Sequence, residues 1–146
     1  MTFVLDASVT MAWCFENETS PYTEATLRRV RDEGAITASI WPLEVANTLL
    51  VAERSGRCSA DHSISFVRLL AELPIRVVAV EAADVTTEVA LVLGREHDLS
   101  AYDATYLRLA MKEGLPLSTL DKRLTRACDR AGVALVSSPT NPRTRP

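Results

Sequence analysis

The stretch "TFVLDAS", residues 2–8, places an acid directly behind a short apolar run. Residues 3–5 carry no polar face, which predicts a strand that is buried on both sides of a sheet. Asp6 follows at the carboxyl end of that strand. In open parallel sheets these strand ends gather along one edge, and ligands bind there. An open parallel sheet of this kind requires further strands in the rest of the chain.

Strand-like and helix-like segments alternate along the remaining chain. The strand-like segments are "AITAS" (35–39), "IRVVAV" (75–80), "LPLST" (115–119) and "VALVSS" (133–138). Helical spacing of apolar residues, together with proline near some starts and glycine at some ends, predicts helices over 20–34, 41–56, 59–73, 82–97, 100–114 and 121–132. This order predicts an α/β fold with a mainly parallel central sheet that helices cover on both faces.

Composition and charge are those of an ordinary globular domain. The 146 residues are 47% hydrophobic and 24% charged, and the formal net charge is −3. Proteins that bind duplex nucleic acid over a wide face are usually basic, so any contact with nucleic acid is expected to be local. The apolar stretches are only strand-sized, so no membrane span is predicted. A single domain is expected over residues 1–138, followed by a proline-rich, disordered tail over 139–146.

The cysteines indicate the compartment. Cys14, Cys58 and Cys128 are odd in number and far apart, which predicts reduced thiols and a cytoplasmic location. No basic segment precedes the N-terminal apolar run, so no signal peptide is expected. The two histidines, His62 and His97, form no zinc-type pattern with the cysteines.

Four acids occupy equivalent positions at strand ends or helix starts. Asp6 and Asp121 follow strand-like segments, and Glu44 and Asp103 lie in the first turns of predicted helices. Each position has a purely structural alternative. Asp6 could cap the segment that follows it, and Asp121 could cap the helix over 121–132. Glu44 could complement a helix dipole, and Asp103 has capping-box spacing from Ser100. Taken together, the four positions predict convergence at one edge of the sheet.

Crowded carboxylates favour a particular chemistry. Their mutual repulsion is relieved by protonation or by a cation. Oxygen ligands without histidine or cysteine favour Mg²⁺ or Mn²⁺. Such a site suits hydrolysis of phosphodiesters, in which the metal activates a water and stabilises charge on the phosphate.

Four motifs carry a family resemblance. In order, "VLDASV" (4–9), "PLEVANTL" (42–49), "LSAYDATYLRLA" (99–110) and "LSTLDKRL" (117–124) resemble the successive motifs of the PIN domain, and more narrowly those of VapC-type toxin ribonucleases. The resemblance extends over residues 2–136. It implies a three-layer α/β/α sandwich and a Mg²⁺- or Mn²⁺-dependent endoribonuclease that cleaves RNA. It also implies a homodimer or higher even oligomer and inhibition by a small VapB-like antitoxin.

The resemblance also assigns roles to single residues. It implies that Asp6 and Asp103 are the main metal ligands and that Glu44 acts directly or through a metal-bound water. Asp121 would help to hold a second, weaker metal. Three further polar residues match supporting positions of the family, namely Ser8, Thr119 and Asn47.

Cationic and aromatic residues near the acids have two interpretations each. Lys122, Arg123 and Arg126 follow Asp121 and could bind substrate phosphates, or they could form a solvated helix face. The aromatic side chains near the acids could stack on bases or pack in the core; they are Trp13, Phe15 and Trp41.

Three other functions are compatible with parts of the pattern. "DASVT", residues 6–10, is similar to the D-x-D-x-T opening of haloacid-dehalogenase-like phosphatases, but Ser8 replaces the second aspartate. A response-regulator receiver domain also places acids at strand ends, but it needs adjacent acids after the first strand, which "VLDAS" lacks. The third alternative is a non-catalytic scaffold that binds RNA or a protein.

Overall fold

A computed structural model of the protein describes residues 1–79 and 87–137. The strands are β1 (Val4–Leu5), β2 (Ala35–Thr37), β3 (Ile75–Val77) and β4 (Leu117–Ser118). The helices are α1 (Ala7–Ala12), α2 (Pro21–Glu33), α3 (Trp41–Arg54), α4 (Ala60–Glu72), α5 (Thr87–His97), α6 (Ala101–Glu113) and α7 (Lys122–Ala131), with a short 3₁₀ helix at Glu16–Glu18. Residues 80–86 and the predicted tail, 139–146, lie outside the described residues.

The central sheet is parallel and has the order β3-β2-β1-β4. Val4 of β1 lies opposite Ile36 on one side and Leu117 on the other. The chain builds outward from β1 through β2 to β3 and then returns to place β4 on the free side of β1. The gap between β1 and β4 is therefore the switch point of the sheet, where parallel α/β folds bind ligands.

Both faces of the sheet are covered. Val4 belongs to a large buried apolar cluster with residues of α3, α4, α6 and α7. Leu5 points into a smaller cluster with Val30 of α2 and Val136. Successive strand residues point to opposite faces, so a strand of two residues contributes to both layers. The predicted three-layer α/β/α architecture is confirmed.

The last predicted strand and the segment after Asp6 differ from the sequence prediction. The strand expected over residues 133–138 is reduced, within its described part, to a single parallel bridge between Leu117 and Leu135. Helix α1 is not predicted from the sequence, because its six residues are too few to display an apolar period. Within residues 1–79 and 87–137, no helix combines the length and the apolar character needed to cross a bilayer.

Candidate active site

Asp6 is the most enclosed of the four acids. Its side chain follows β1 and is 3% exposed. Oδ2 of Asp6 accepts hydrogen bonds from Oγ of Ser8 at 2.6 Å and from Oγ1 of Thr119 at 2.7 Å. Asp6 makes no side-chain capping bond to α1, so the capping alternative is wrong for this residue. Burial raises the pKa of the Asp6 carboxyl, and the hydrogen bonds from Ser8, Thr119 and the Ala7 amide partly oppose that rise.

The two hydroxyls also join the loops after β1 and β4. Oγ of Ser8 accepts a hydrogen bond from the amide of Leu120 at 2.9 Å. Oγ1 of Thr119 accepts one from the amide of Asp121 at 3.0 Å. Ser8 and Thr119 thus fix the Asp6 carboxylate and the backbone that leads to Asp121 in one network. The structure brings both predicted supporting hydroxyls to the first acid.

Glu44 lies in the first turn of α3 and is half-buried. Its Oε1 accepts a hydrogen bond from the Tyr106 hydroxyl at 2.7 Å. Burial raises the pKa of Glu44, and the negative charges of Asp6 and Asp103 raise it further. Burial and the bond to Glu44 also raise the pKa of the Tyr106 hydroxyl. The sequence analysis does not identify Tyr106 as a site residue, although its position three residues after Asp103 on α6 places both on one helix face.

Asp103 lies in the first turn of α6 and is also half-buried. Its amide donates to Oγ of Ser100 at 3.1 Å, so Ser100 caps the helix and positions Asp103 at its start. Burial raises the pKa of the Asp103 carboxyl, and the charges of Asp6 and Asp121 add to that effect. Each of these electrostatic interactions requires the acids to be near one another.

Asp121 caps a helix and also faces the other three acids. Its Oδ1 accepts a hydrogen bond from the amide of Leu124 at 2.9 Å, so it caps α7 as the capping alternative predicted. Its side chain nevertheless faces the same cavity as the other three acids.

The four acids line one open cavity of about 580 Å³. We call it the acid cavity. It lies beside the β1–β4 switch point, on the edge of the sheet formed by the carboxyl ends of the strands. Its lining residues are Asp6, Ala7, Ser8, Met11, Phe15, Glu18, Glu44, Thr48, Arg57, Asp103, Leu120 and Asp121.

The donor set of the acid cavity fits a hard divalent cation. Its donors are carboxylate and hydroxyl oxygens, without histidine or cysteine. Among residues 1–79 and 87–137, no three acidic, histidine or cysteine side chains are arranged to hold a metal ion by themselves. Ions such as Mg²⁺ keep several waters and are usually bound by one or two carboxylates.

Other predicted residues lie outside the acid cavity. Asn47 is exposed, and its neighbour Thr48 lines the cavity instead. Lys122 is exposed on α7. Arg123 and Arg126 line a different cavity of about 350 Å³, which we call the arginine cavity. Its lining residues are His97, Asp98, Arg123, Arg126 and Arg130.

The three aromatic side chains near the acids are packed or bonded within the fold. Trp41 is buried and donates from Nε1 to Oγ1 of Thr10 at 3.0 Å. Trp13 donates from Nε1 to the carbonyl of Thr23 at 2.8 Å. Phe15 is buried, with one part of its surface lining the acid cavity. The packing interpretation therefore describes the two tryptophans.

Comparison with known proteins finds relatives along nearly the whole chain. Ribonuclease VapC3 of Pyrobaculum aerophilum is 29% identical over 124 residues, which cover 85% of this chain and 92% of the relative. The crystal structure of Rickettsia felis VapBC2, bound to a DNA fragment from its promoter, has a TM-score of 0.66 at 13% identity and covers 93% of this chain and 98% of that chain. The crystal structure of Mycobacterium tuberculosis VapC20, a sarcin-ricin loop cleaving toxin, has a TM-score of 0.63 at 19% identity, with coverage of 92% and 98%. The PIN domain model matches residues 3–130, and the chain belongs to the PIN domain family.

Proposed function

We propose that this chain is a divalent-metal-dependent endoribonuclease and the toxin of a VapBC-type toxin–antitoxin pair. The observation that carries the proposal is the convergence of Asp6, Glu44, Asp103 and Asp121 on one cavity beside the switch point of the sheet. Membership of the PIN domain family and 29% identity to a protein named Ribonuclease VapC3 support RNA as the substrate.

The four acids are proposed to divide the work of holding metal. Asp6 and Asp103 would be the principal ligands of Mg²⁺ or Mn²⁺, Glu44 would bind directly or through a water, and Asp121 would help to hold a second, weaker ion. When bound, the ion lowers the pKa of a water and offsets the repulsion between the carboxylates and the substrate phosphate.

The neighbouring side chains orient these carboxylates and stabilise the charged form of Asp6. The hydroxyls of Ser8 and Thr119 favour the charged form of Asp6 against the effect of its burial. Tyr106 fixes Oε1 of Glu44, so α6 orients the second acid as well as carrying the third. The Ser8 hydroxyl donates to Asp6 and accepts from the Leu120 amide, which makes it an orienting group; water is the proposed nucleophile.

The proposed biological setting follows from the same family. The partner is a small VapB-like antitoxin that inhibits the toxin. Solved structures of similar fold include the VapBC2 complex of Rickettsia felis and a toxin–antitoxin complex from Klebsiella pneumoniae. We further propose a homodimer or higher even oligomer, a cytoplasmic location, and a nuclease domain that spans residues 1–138.

The alternatives considered from the sequence are now weaker. The phosphatase and receiver-domain interpretations lose their basis because the chain belongs to the PIN domain family. A non-catalytic scaffold would have no need for the hydroxyl network around Asp6, whose hydrogen bonds favour the charged form of a buried carboxylate. We therefore propose catalysis rather than binding alone.

The direct experiment incubates the purified, antitoxin-free protein with total RNA, with either Mg²⁺ or EDTA, and maps the cut sites. We expect cleavage at defined sites with Mg²⁺ and none with EDTA. Asp103→Asn should abolish that cleavage. The matched control is Asp32→Asn, which removes the same charge from an exposed position on α2 and should cut like the wild type. Cleavage that persists in EDTA, or in Asp103→Asn, would contradict the proposal.

A further inference from the structure

A second cavity adjoins the acid cavity. It has a volume of about 680 Å³, and we call it the side cavity. Phe15 and Arg57 line both cavities, so these two residues form the boundary between them. The side cavity is lined by Cys14, Phe15, Glu16, Asn17, Arg57, Cys58, Ser59 and His62.

Arg57 is the one cationic side chain that lines the acid cavity within the described residues, 1–79 and 87–137. A carboxylate-lined cavity repels the phosphates of a nucleic acid, and a cation at its boundary offsets that repulsion. Arg57 follows the end of α3 and is distant in sequence from the cluster of cations that begins α7.

The Arg57 side chain is held from two sides. Its guanidinium carbon lies 3.9 Å from the centroid of the Phe15 ring, which is a close cation–π contact. Its Nη2 donates to Oδ1 of Asn17 at 3.0 Å. Phe15 is buried, so the guanidinium rests on a ring that the core itself fixes. The plane of the guanidinium is thereby set before any ligand arrives.

The remaining partner of Arg57 is easily exchanged. Nη2 of Arg57 lies 3.5 Å from Oε1 of Glu18, and both side chains are about two-fifths exposed. Exposed ion pairs of this kind contribute little to stability. A phosphate would offer the guanidinium two acceptor oxygens in a geometry that it prefers. The Arg57 guanidinium can therefore leave Glu18 for a phosphate at little cost in free energy. Its contacts with Phe15 and Asn17 stay in place.

We propose that Arg57 binds a backbone phosphate of the RNA strand at the boundary of the acid cavity, and that the side cavity receives the adjoining nucleotide. The proposal rests on the proposed endoribonuclease function and adds a substrate path to it. The side cavity has the size of small-ligand sites. Its lining combines Cys14 and Phe15 with the polar residues Asn17, Ser59 and His62. Ser59 caps α4, and Nε2 of His62 lies 3.1 Å from the carbonyl oxygen of Cys14.

The first test measures binding without cleavage. Fluorescent single-stranded RNA is titrated onto Arg57→Ala, Arg57→Lys and unchanged Arg57, all in the Asp103→Asn background. We expect Arg57→Ala to weaken affinity about tenfold and to lower the slope of log affinity against log salt by about one. Arg57→Lys should restore the salt slope but only part of the affinity, because lysine binds phosphate as a point charge. Arg54→Ala, which removes an exposed cation near the end of α3, is the matched control and should change affinity little.

A second test locates the phosphate. Oligoribonucleotides carry one uncharged methylphosphonate linkage, placed in turn at each position around the cut site. Arg57→Ala should lose its effect on affinity for one of these RNAs, in which the phosphate that Arg57 binds has already been neutralised. Circular dichroism melting checks that each variant is folded.

The outcomes separate the two proposals. If the wild type neither binds nor cuts RNA, the proposed function fails. If the wild type cuts RNA while a folded Arg57→Ala keeps the same affinity, KM and salt slope, only the role of Arg57 is overturned. An effect of Arg57→Ala that is equal for every methylphosphonate position would likewise overturn a specific phosphate contact.

Discussion

The acid cavity and the arginine cavity lie beside the same helix, α7, and differ in how their charges are held. At the acid cavity, Asp121 caps the start of α7 and joins three acids whose pKa values are raised chiefly by burial. At the arginine cavity, Arg130 near the end of α7 donates to the carbonyl of His97 at 2.8 Å. Arg123, Arg126 and Arg130 are exposed, so their charges stay in water. Buried charge therefore distinguishes the proposed reactive region from the arginine cavity, where charge is dense but exposed to water.

The same comparison shows that proximity in sequence is a poor guide to membership of a site. Arg126 follows Asp121 by five residues, yet it lines the arginine cavity, because α7 carries it about 7 Å along the helix axis. Arg57 is far from Asp121 in sequence, yet it lines the acid cavity. The end of α3 and the loop after it return Arg57 toward the 3₁₀ helix, where Asn17 and Glu18 hold it.

The largest expected difference between the two cavities is in catalysis. Asp6→Asn should lower RNA cleavage by about a hundredfold or more, because it removes a preorganised charge from the centre of the acid cavity. Arg126→Ala should leave the rate at saturating RNA within about threefold of the wild type. Single-turnover cleavage of one labelled RNA measures both variants. Equal losses in the two would remove the distinction between the cavities.

The second prediction concerns stability against pH in metal-free protein. Asp6, Glu44 and Asp103 have raised pKa values, so the folded protein holds their protons at pH values where the unfolded chain has released them. Their stabilising contribution is complete below the ordinary carboxyl pKa values and is lost as pH rises through the folded values. The melting temperature of the wild type should therefore fall relative to that of Asp6→Asn as pH rises above the ordinary aspartate pKa of about 4 and through the raised value of the folded protein.

That measurement is made in EDTA, and only the difference between the two proteins is interpreted. Glu33 has the opposite sign, since hydrogen bonds from the N-terminal amine and Arg29 lower its pKa. Its contribution is lost on acidification, but both proteins retain Glu33 and the effect cancels. A melting-temperature difference that stays constant with pH would mean that burial of the Asp6 charge has no influence on stability.

The smallest predicted effect separates the two roles of Asp121. Asp121→Ala removes the cap of α7 and should cost about 1 kcal/mol, which corresponds to a fall of about 2–4 °C in melting temperature. Asp121→Asn keeps a good capping oxygen and should melt close to the wild type. Both variants should cut RNA more slowly. If the Asp121→Asn variant cut RNA at the wild-type rate, Asp121 would be a helix cap alone.

The sequence predicted the helices and strands whose apolar residues follow a short, regular period. The strand-end position of Asp6 and the helix-start positions of Glu44 and Asp103 follow from local periodicity, and the parallel sheet brings them to one edge. Strand lengths were overestimated because an apolar run does not reveal where its partner strand ends. The last predicted strand retains one bridge, at Leu135, within its described part.

Arg57 and Tyr106 could not be placed from the sequence, since their roles come from tertiary contacts. The Tyr106 hydroxyl reaches Glu44 across the gap between α6 and α3, and nothing near either residue in the sequence specifies that distance. Arg57 lies in an exposed loop whose direction depends on the packing of α3 and α4. Asn47, which matches a supporting position of the family, is exposed and is not among the residues that line the acid cavity, so its role stays a prediction.

The hydrogen bond from Thr119 to Asp6 joins residues at opposite ends of the fold in sequence. Translation makes Asp6 113 residues before Thr119, which directly follows the fourth strand. Until then, the Asp6 carboxylate lacks the Thr119 hydroxyl that fixes it, and β1 lacks its neighbour β4. The proposed acidic centre is therefore complete only after the fourth strand and the loop that follows it have been made, which delays any cleavage of RNA by the newly made chain.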